Sequence, residues 1–197
     1  MALDKNSFKL MRQDFEKYDK YREELIKISR KMLQNSKKAI YSIHRNDLTE
    51  AKNLLDNSQK LIKQTEVIIK KDNHLAGVGA YSEALEEYVE ASCYYDYIKN
   101  NKIPTNKELN VDTDAYIPGL CDLVGELVRK AINASIKGDY QTSLDIRSFV
   151  EEIYEELMMF DFKNSPTRKK FDSIKYGLEK LEDLALKIKF KKWFLKE

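Results

Sequence analysis

The chain has 197 residues with only six glycines and three prolines, and 35% of it is charged. That length fits one domain with a real core. The scarcity of breakers and of Val- or Thr-rich runs excludes β-rich architectures and favours long helices with short connections. No apolar run is long enough to span a bilayer and the N-terminus is charged rather than signal-like, so a cytoplasmic protein with no membrane partner is expected.

The net charge of +2 hides an uneven distribution. Residues 1–45 carry twelve Lys/Arg against six Asp/Glu, and residues 163–197 carry eleven against five. Residues 80–126 carry three against ten. Basic ends suit a polyanion, and an acidic middle suits a metal. Cys93 and Cys121 form no CxxC motif and read as small buried residues of a reducing compartment.

In chain order, the apolar spacing predicts a basic first helix over about 5–45, carried by Phe8, Met11, Phe15, Tyr18, Leu25, Ile28, Met32, Ala39 and Ile43. Asn46-Asp47 ends it and caps a second helix over about 47–72. Asp72-Asn73 and Gly77/Gly79 mark an irregular turn. A third helix follows over about 80–99. Residues 100–114 read as a loop with a helical turn near 105–109. The remaining helices are expected at about 115–136, 140–161 and 165–190, the last opened by Ser165-Pro166. Lys187–Lys196 reads as a basic tail interrupted by Phe190, Trp193 and Phe194. The fold class is all-α, a bundle of six to seven helices.

Two of these helices carry acids at helical spacing. Glu87 and Glu90 lie on one face of the third helix, in a stripe with Glu83 and Tyr94. Asp122 and Glu126 lie on one face of the fourth, in a stripe with Arg129 and Asn133. Asp122 interrupts the apolar run Tyr116–Gly125, so its carboxylate must be paired, protonated or metal-bound. Gly125 costs about 1 kcal/mol in mid-helix and marks a place where another backbone or a ligand can approach closely. Four carboxylates without a Ser, Cys or His nucleophile suit Mg²⁺ or Mn²⁺ and phosphodiester hydrolysis. Arg129 is equally placed to neutralise Asp122 or Glu126 as an internal ion pair, which leaves a purely structural role for the acids open. A ferritin-like di-iron site needs Glu-x-x-His on two helices, and neither His44 nor His74 has that spacing. His74, beside the turn, reads as a solvated loop residue.

The segment Tyr116–Arg129 (YIPGLCDLVGELVR), with Ala131–Tyr140 and Phe171–Glu182 after it and Tyr21–Arg30 before it, resembles the translin family over nearly the whole chain. The resemblance implies a single translin-like helical domain over 1–197. Its acidic site helices would be about 80–99 and 115–136, and its basic C-terminal helix and tail about 165–197. The family has a single-stranded nucleic-acid-binding branch, translin, and a branch resembling a metal-dependent endoribonuclease, translin-associated factor X (Trax), which joins translin in the complex called C3PO. The Trax pattern of Glu-x-x-Glu and Asp-x-x-x-Glu falls on Glu87, Glu90, Asp122 and Glu126. The resemblance is to Trax in a compact, archaeal form.

What it implies is a Mg²⁺- or Mn²⁺-dependent endoribonuclease for single-stranded or partly unpaired RNA, possible also on single-stranded DNA, assembled as a homo-oligomer and by resemblance a hollow octamer. The four acids would be both metal ligands and catalytic residues. Arg22, Arg30, Lys37, Lys38, Arg45 and Arg129 are the candidates for holding the nucleic-acid backbone. The alternative is a non-catalytic single-stranded RNA- or DNA-binding protein of translin type, with structural acids. A helical scaffold assembling through the first helix is the third possibility.

Overall fold

The computed structural model describes residues 3–194, with side chains described as far as Lys191. Short polar side chains set the helix starts. Asp4, Asp47, Asp112 and Asp139 each accept a backbone N–H at an N-terminus, and Thr105 with Glu108 makes a reciprocal capping box. Among the described residues seven α-helices result: α1 (Lys5–His44), α2 (Leu48–Ile69), α3 (Gly79–Asn100), α4 (Asn106–Leu109), α5 (Thr113–Ile136), α6 (Tyr140–Met158) and α7 (Pro166–Phe194). The irregular turn after α2 is a 3-10 segment, Asn73–Gly77. No strand occurs among the described residues. Gly138, at φ 84°, makes the left-handed turn between α5 and α6 that a side chain would resist.

The chain folds as α3 packed between α1 and α5, with α6 and α7 against the other side of α5. Burial follows from that order. α3 buries residues nearly all round, among them Ala84, Leu85, Val89, Ala91, Tyr94 and Tyr95, because it has a helix on two sides. One apolar cluster runs from Met32 and Ile43 through Val89, Leu123, Leu127 and Ile146 to Ile174 and Leu181. Cys93 and Cys121 are free and buried within it, as the sequence led us to expect.

Two readings of the sequence change. Of the apolar set assigned to α1, Leu25, Met32, Ala39 and Ile43 are buried, but Phe8, Met11 and Phe15 are 46%, 51% and 71% exposed. The cause is length. With 40 residues α1 is about 60 Å long, whereas the 22 residues of α2 span about 33 Å. A small second cluster of Leu25, Ile68, Leu75 and Val78 closes the bundle there, and the first turns of α1 run past it. At the other end the expected interrupted tail is helical as far as Phe194. Residues 195–197 lie outside those described.

The glycine that a neighbouring helix approaches closely is Gly119 rather than Gly125. A Cβ on Gly119 would lie 2.7 Å from the Glu86 carbonyl oxygen and from Val89 Cβ, whereas nothing stands within 4 Å of one on Gly125. α3 and α5 therefore meet backbone to side chain at Gly119, one turn from Asp122. Gly119→Ala should cost about 1–3 kcal/mol by overpacking, whereas Gly125→Ala should gain up to about 1 kcal/mol of helix propensity. Urea denaturation of the two variants checks this, and equal midpoints would disprove the contact.

Candidate functional site

The contact at Gly119 brings the acidic faces of α3 and α5 together, and α1 and α7 close them from two sides. Glu90 is buried, at 8% exposure. Its carboxyl is pushed up to about 8, first by burial and then by the charges of Glu87, Asp122 and Glu126. Glu87 is also raised, first by burial and further by Asp122 and Glu83, against the opposing pull of Lys37. The four acids singled out in the sequence thus form one mutually repelling group. None of the ion pairs among the described residues includes Glu90.

The other three acids each have a partner. Glu87 Oε2 lies 3.9 Å from Lys37 Nζ on α1. Asp122 accepts a short hydrogen bond from Lys170 Nζ on α7, and the same ammonium donates to Glu86 Oε2 at 2.7 Å. Burial alone would lower the Lys170 pKa, but the bonds to Asp122 and Glu86 outweigh it and the pKa is raised. Lys170 is therefore a fixed cation. Glu126 pairs closely with His44 Nε2 near the end of α1, and Arg129 Nη1 stands 3.8 Å away. In the neutral ring, Nε2–H donates to Glu126 and Nδ1 accepts from the Tyr94 hydroxyl at 3.3 Å. As the side chains stand, no group of three or more His, Cys, Asp or Glu among the described residues is arranged to hold a metal ion.

The basic candidates divide. Lys37 touches the acid cluster and Arg129 touches Glu126, while Arg45 follows His44 directly and stands over the Tyr41 ring. Arg30 is seven residues, or two turns, before Lys37 on the same side of α1. Lys38 is exposed on the flank of that strip. Arg22 is remote, engaged with Asp19 and Glu23. His74 is exposed and paired with Asp72, in keeping with a loop residue.

Three participants were not assigned roles from the sequence. Glu86 neighbours Glu87 but points to Lys170. His44 had only one signal, its place seven residues after Lys37. Lys170 sits in the run Arg168-Lys169-Lys170 with nothing to distinguish it from a solvated lysine. Asp122, expected to be paired, protonated or metal-bound, is paired with Lys170 rather than with Arg129.

An all-helical bundle whose paired acidic helices are flanked by a basic first helix is the class of protein that this fold and site define. The chain belongs to the translin family, whose sequence model (Translin family) matches residues 20–192. An uncharacterized protein of Methanocaldococcus jannaschii is 35% identical over 150 residues, covering 73% of this chain and 64% of that protein. Translin-associated protein X of Rattus norvegicus is 27% identical over 227 residues, covering 93% of this chain and 77% of the rat protein. Among solved structures, AfC3PO in complex with duplex RNA superposes with a TM-score of 0.83 at 28% identity, covering 94% of this chain and 97% of that one.

Proposed function

We propose that this chain is a Mg²⁺- or Mn²⁺-dependent endoribonuclease that cuts single-stranded or partly unpaired RNA and works in the cytoplasm as a homo-oligomer, by family resemblance an octamer. The observation that carries the reading is the gathering of Glu87, Glu90, Asp122 and Glu126 into one repelling group beside the basic strip of α1. The RNA held by the similar AfC3PO supports the choice of polyanion, although that RNA is duplex. No helix among the described residues is long and apolar enough to cross a membrane.

The donor set fits a hard divalent ion, being all carboxylate oxygen. Glu87, Glu90, Asp122 and Glu126 would hold it. Asp122 would first have to exchange Lys170 for the ion, and Glu126 would turn from His44 or share it. A bound ion supplies polarisation of the phosphate and an activated water. The chain does the rest. Lys37, Arg45, Arg30 and Arg129 hold the phosphates, with Lys38 and Arg22 further out, and His44 with Tyr94 orients Glu126.

A second reading, a binding protein without catalysis, is favoured by the pairing of three of the acids with Lys37, Lys170 and His44 of the chain itself. Cleavage of a labelled single-stranded RNA in Mg²⁺, Mn²⁺ or EDTA separates the two. Metal-dependent cutting supports the first, and binding without cutting supports the second.

The exchange at Asp122 has its own test. Lys170→Met removes the competing ammonium, so Mn²⁺ should bind on the order of tenfold more tightly, since a unit charge a few ångströms away opposes a divalent ion by more than 1 kcal/mol even at high effective dielectric. Titration followed by the Mn²⁺ electron paramagnetic resonance signal reads it. Weaker Mn²⁺ binding in the variant would make Lys170 a support for the site instead of a competitor.

A further inference from the structure

Tyr41 is a large aromatic side chain with no role in the fold or in the cluster described above. It is 61% exposed, on a helix whose neighbouring turns bury Ile40 and Ile43. Its position is the informative point. Four residues before it, Lys37 reaches Glu87, and three residues after it, His44 reaches Glu126. Residues three and four apart share a helix face, so Tyr41 stands between the two points where α1 touches the acids. Arg45, four residues on, places its guanidinium over the ring, 5.6 Å from the centroid. Arg30 and Lys37 continue the basic strip on the other side.

An exposed ring in a basic strip is the combination that holds unpaired nucleic acid. Cations track the backbone while bases stack on the aromatic face, and an Arg against such a ring adds a planar cation to the stack. A duplex keeps its bases stacked inside and offers none to the ring. Lys37 and His44, which touch the acids, bracket Tyr41 on the same face of α1, so a base stacked there has its phosphates beside the cluster.

We infer that Tyr41, backed by Arg45, is a base-stacking subsite that seats one unpaired nucleobase of single-stranded RNA next to the acidic cluster. The inference rests on the reading that this face takes RNA, and it does not depend on cleavage.

The test is anisotropy of a short fluorescein-labelled single-stranded RNA, in EDTA so that nothing is cut, with wild type, Tyr41→Ala and Tyr41→Phe. A second strand of the same length carries abasic positions in its central stretch, and a matched duplex is the third probe. Tyr41→Ala should bind the intact strand on the order of tenfold more weakly, while Tyr41→Phe stays within about twofold because the ring is what stacks. The abasic strand and the duplex should bind wild type and Tyr41→Ala alike. Equal binding of the intact strand by wild type and Tyr41→Ala overturns the subsite and leaves RNA binding standing. An equal loss on intact and abasic strands overturns it too, because the ring would then act on the backbone. Failure of the wild type to bind any of the three RNAs overturns both the subsite and the RNA reading.

Discussion

Asp122→Asn is expected to lower metal-dependent cleavage of single-stranded RNA by at least ~100-fold, as loss of one charge stabiliser of the transition state does, while RNA affinity changes by less than about twofold. Asn keeps the shape of Asp and can still accept a hydrogen bond from Lys170 through its amide oxygen. What it loses is the negative charge, which is what a divalent ion requires of its ligand. The side chain is about one-third exposed, so the fold should tolerate the change. RNA affinity should persist because the basic strip of α1 is untouched. Cutting by Asp122→Asn at the wild-type rate would remove the acids from the chemistry. Wild-type cutting that survives EDTA would remove the metal.

Glu90→Gln is expected to stabilise the protein at alkaline pH and to do nothing in acid. The Glu90 carboxyl is raised from 4.5 to about 8 in the folded chain. Between those values the folded state keeps a proton that the unfolded chain has released. Stability therefore falls as pH rises through that window, by about 1.4 kcal/mol per unit, and levels off above it. Gln retains the neutral form at every pH, so the variant should exceed wild type by several kcal/mol at pH 8.5 and match it near pH 4. Urea midpoints at the two pH values give the comparison. Added Mn²⁺ should narrow the alkaline gap, because a cation that binds the wild-type cluster stabilises its ionised form. A gap of the same size at both pH values would mean that packing, not charge, accounts for it.

The helices were legible because capping residues and apolar spacing are local properties. Asp47 and Ser165-Pro166 mark starts that any window of the sequence displays. The acidic cluster was legible for the same reason, since Glu87/Glu90 and Asp122/Glu126 share faces by spacing alone. Its partners were not. Lys170 reaches Glu86 and Asp122 only because α7 packs on α5, and His44 reaches Glu126 only because α1 packs on α3. The exposure of Phe8, Met11 and Phe15 was hidden likewise. Periodicity shows that a helix has an apolar stripe, but not how far a neighbouring helix extends to cover it. Which glycine a helix crosses was not legible, because mid-helix glycine looks alike in a tight crossing and in open space, and Gly119 rather than Gly125 proved to be the crossing.

Two of the long-range pairs, His44 with Glu126 and Glu86 with Lys170, are interleaved along the chain, with separations of 82 and 84 residues. A cut in the connection between α3 and α4 severs both at once, leaving each fragment with one half of each pair. Neither fragment can rebuild the site by itself, so recovery of the site from two separately produced halves would report their reassociation. Because Lys170 is supplied by α7, the site is complete only when that helix is docked on the rest.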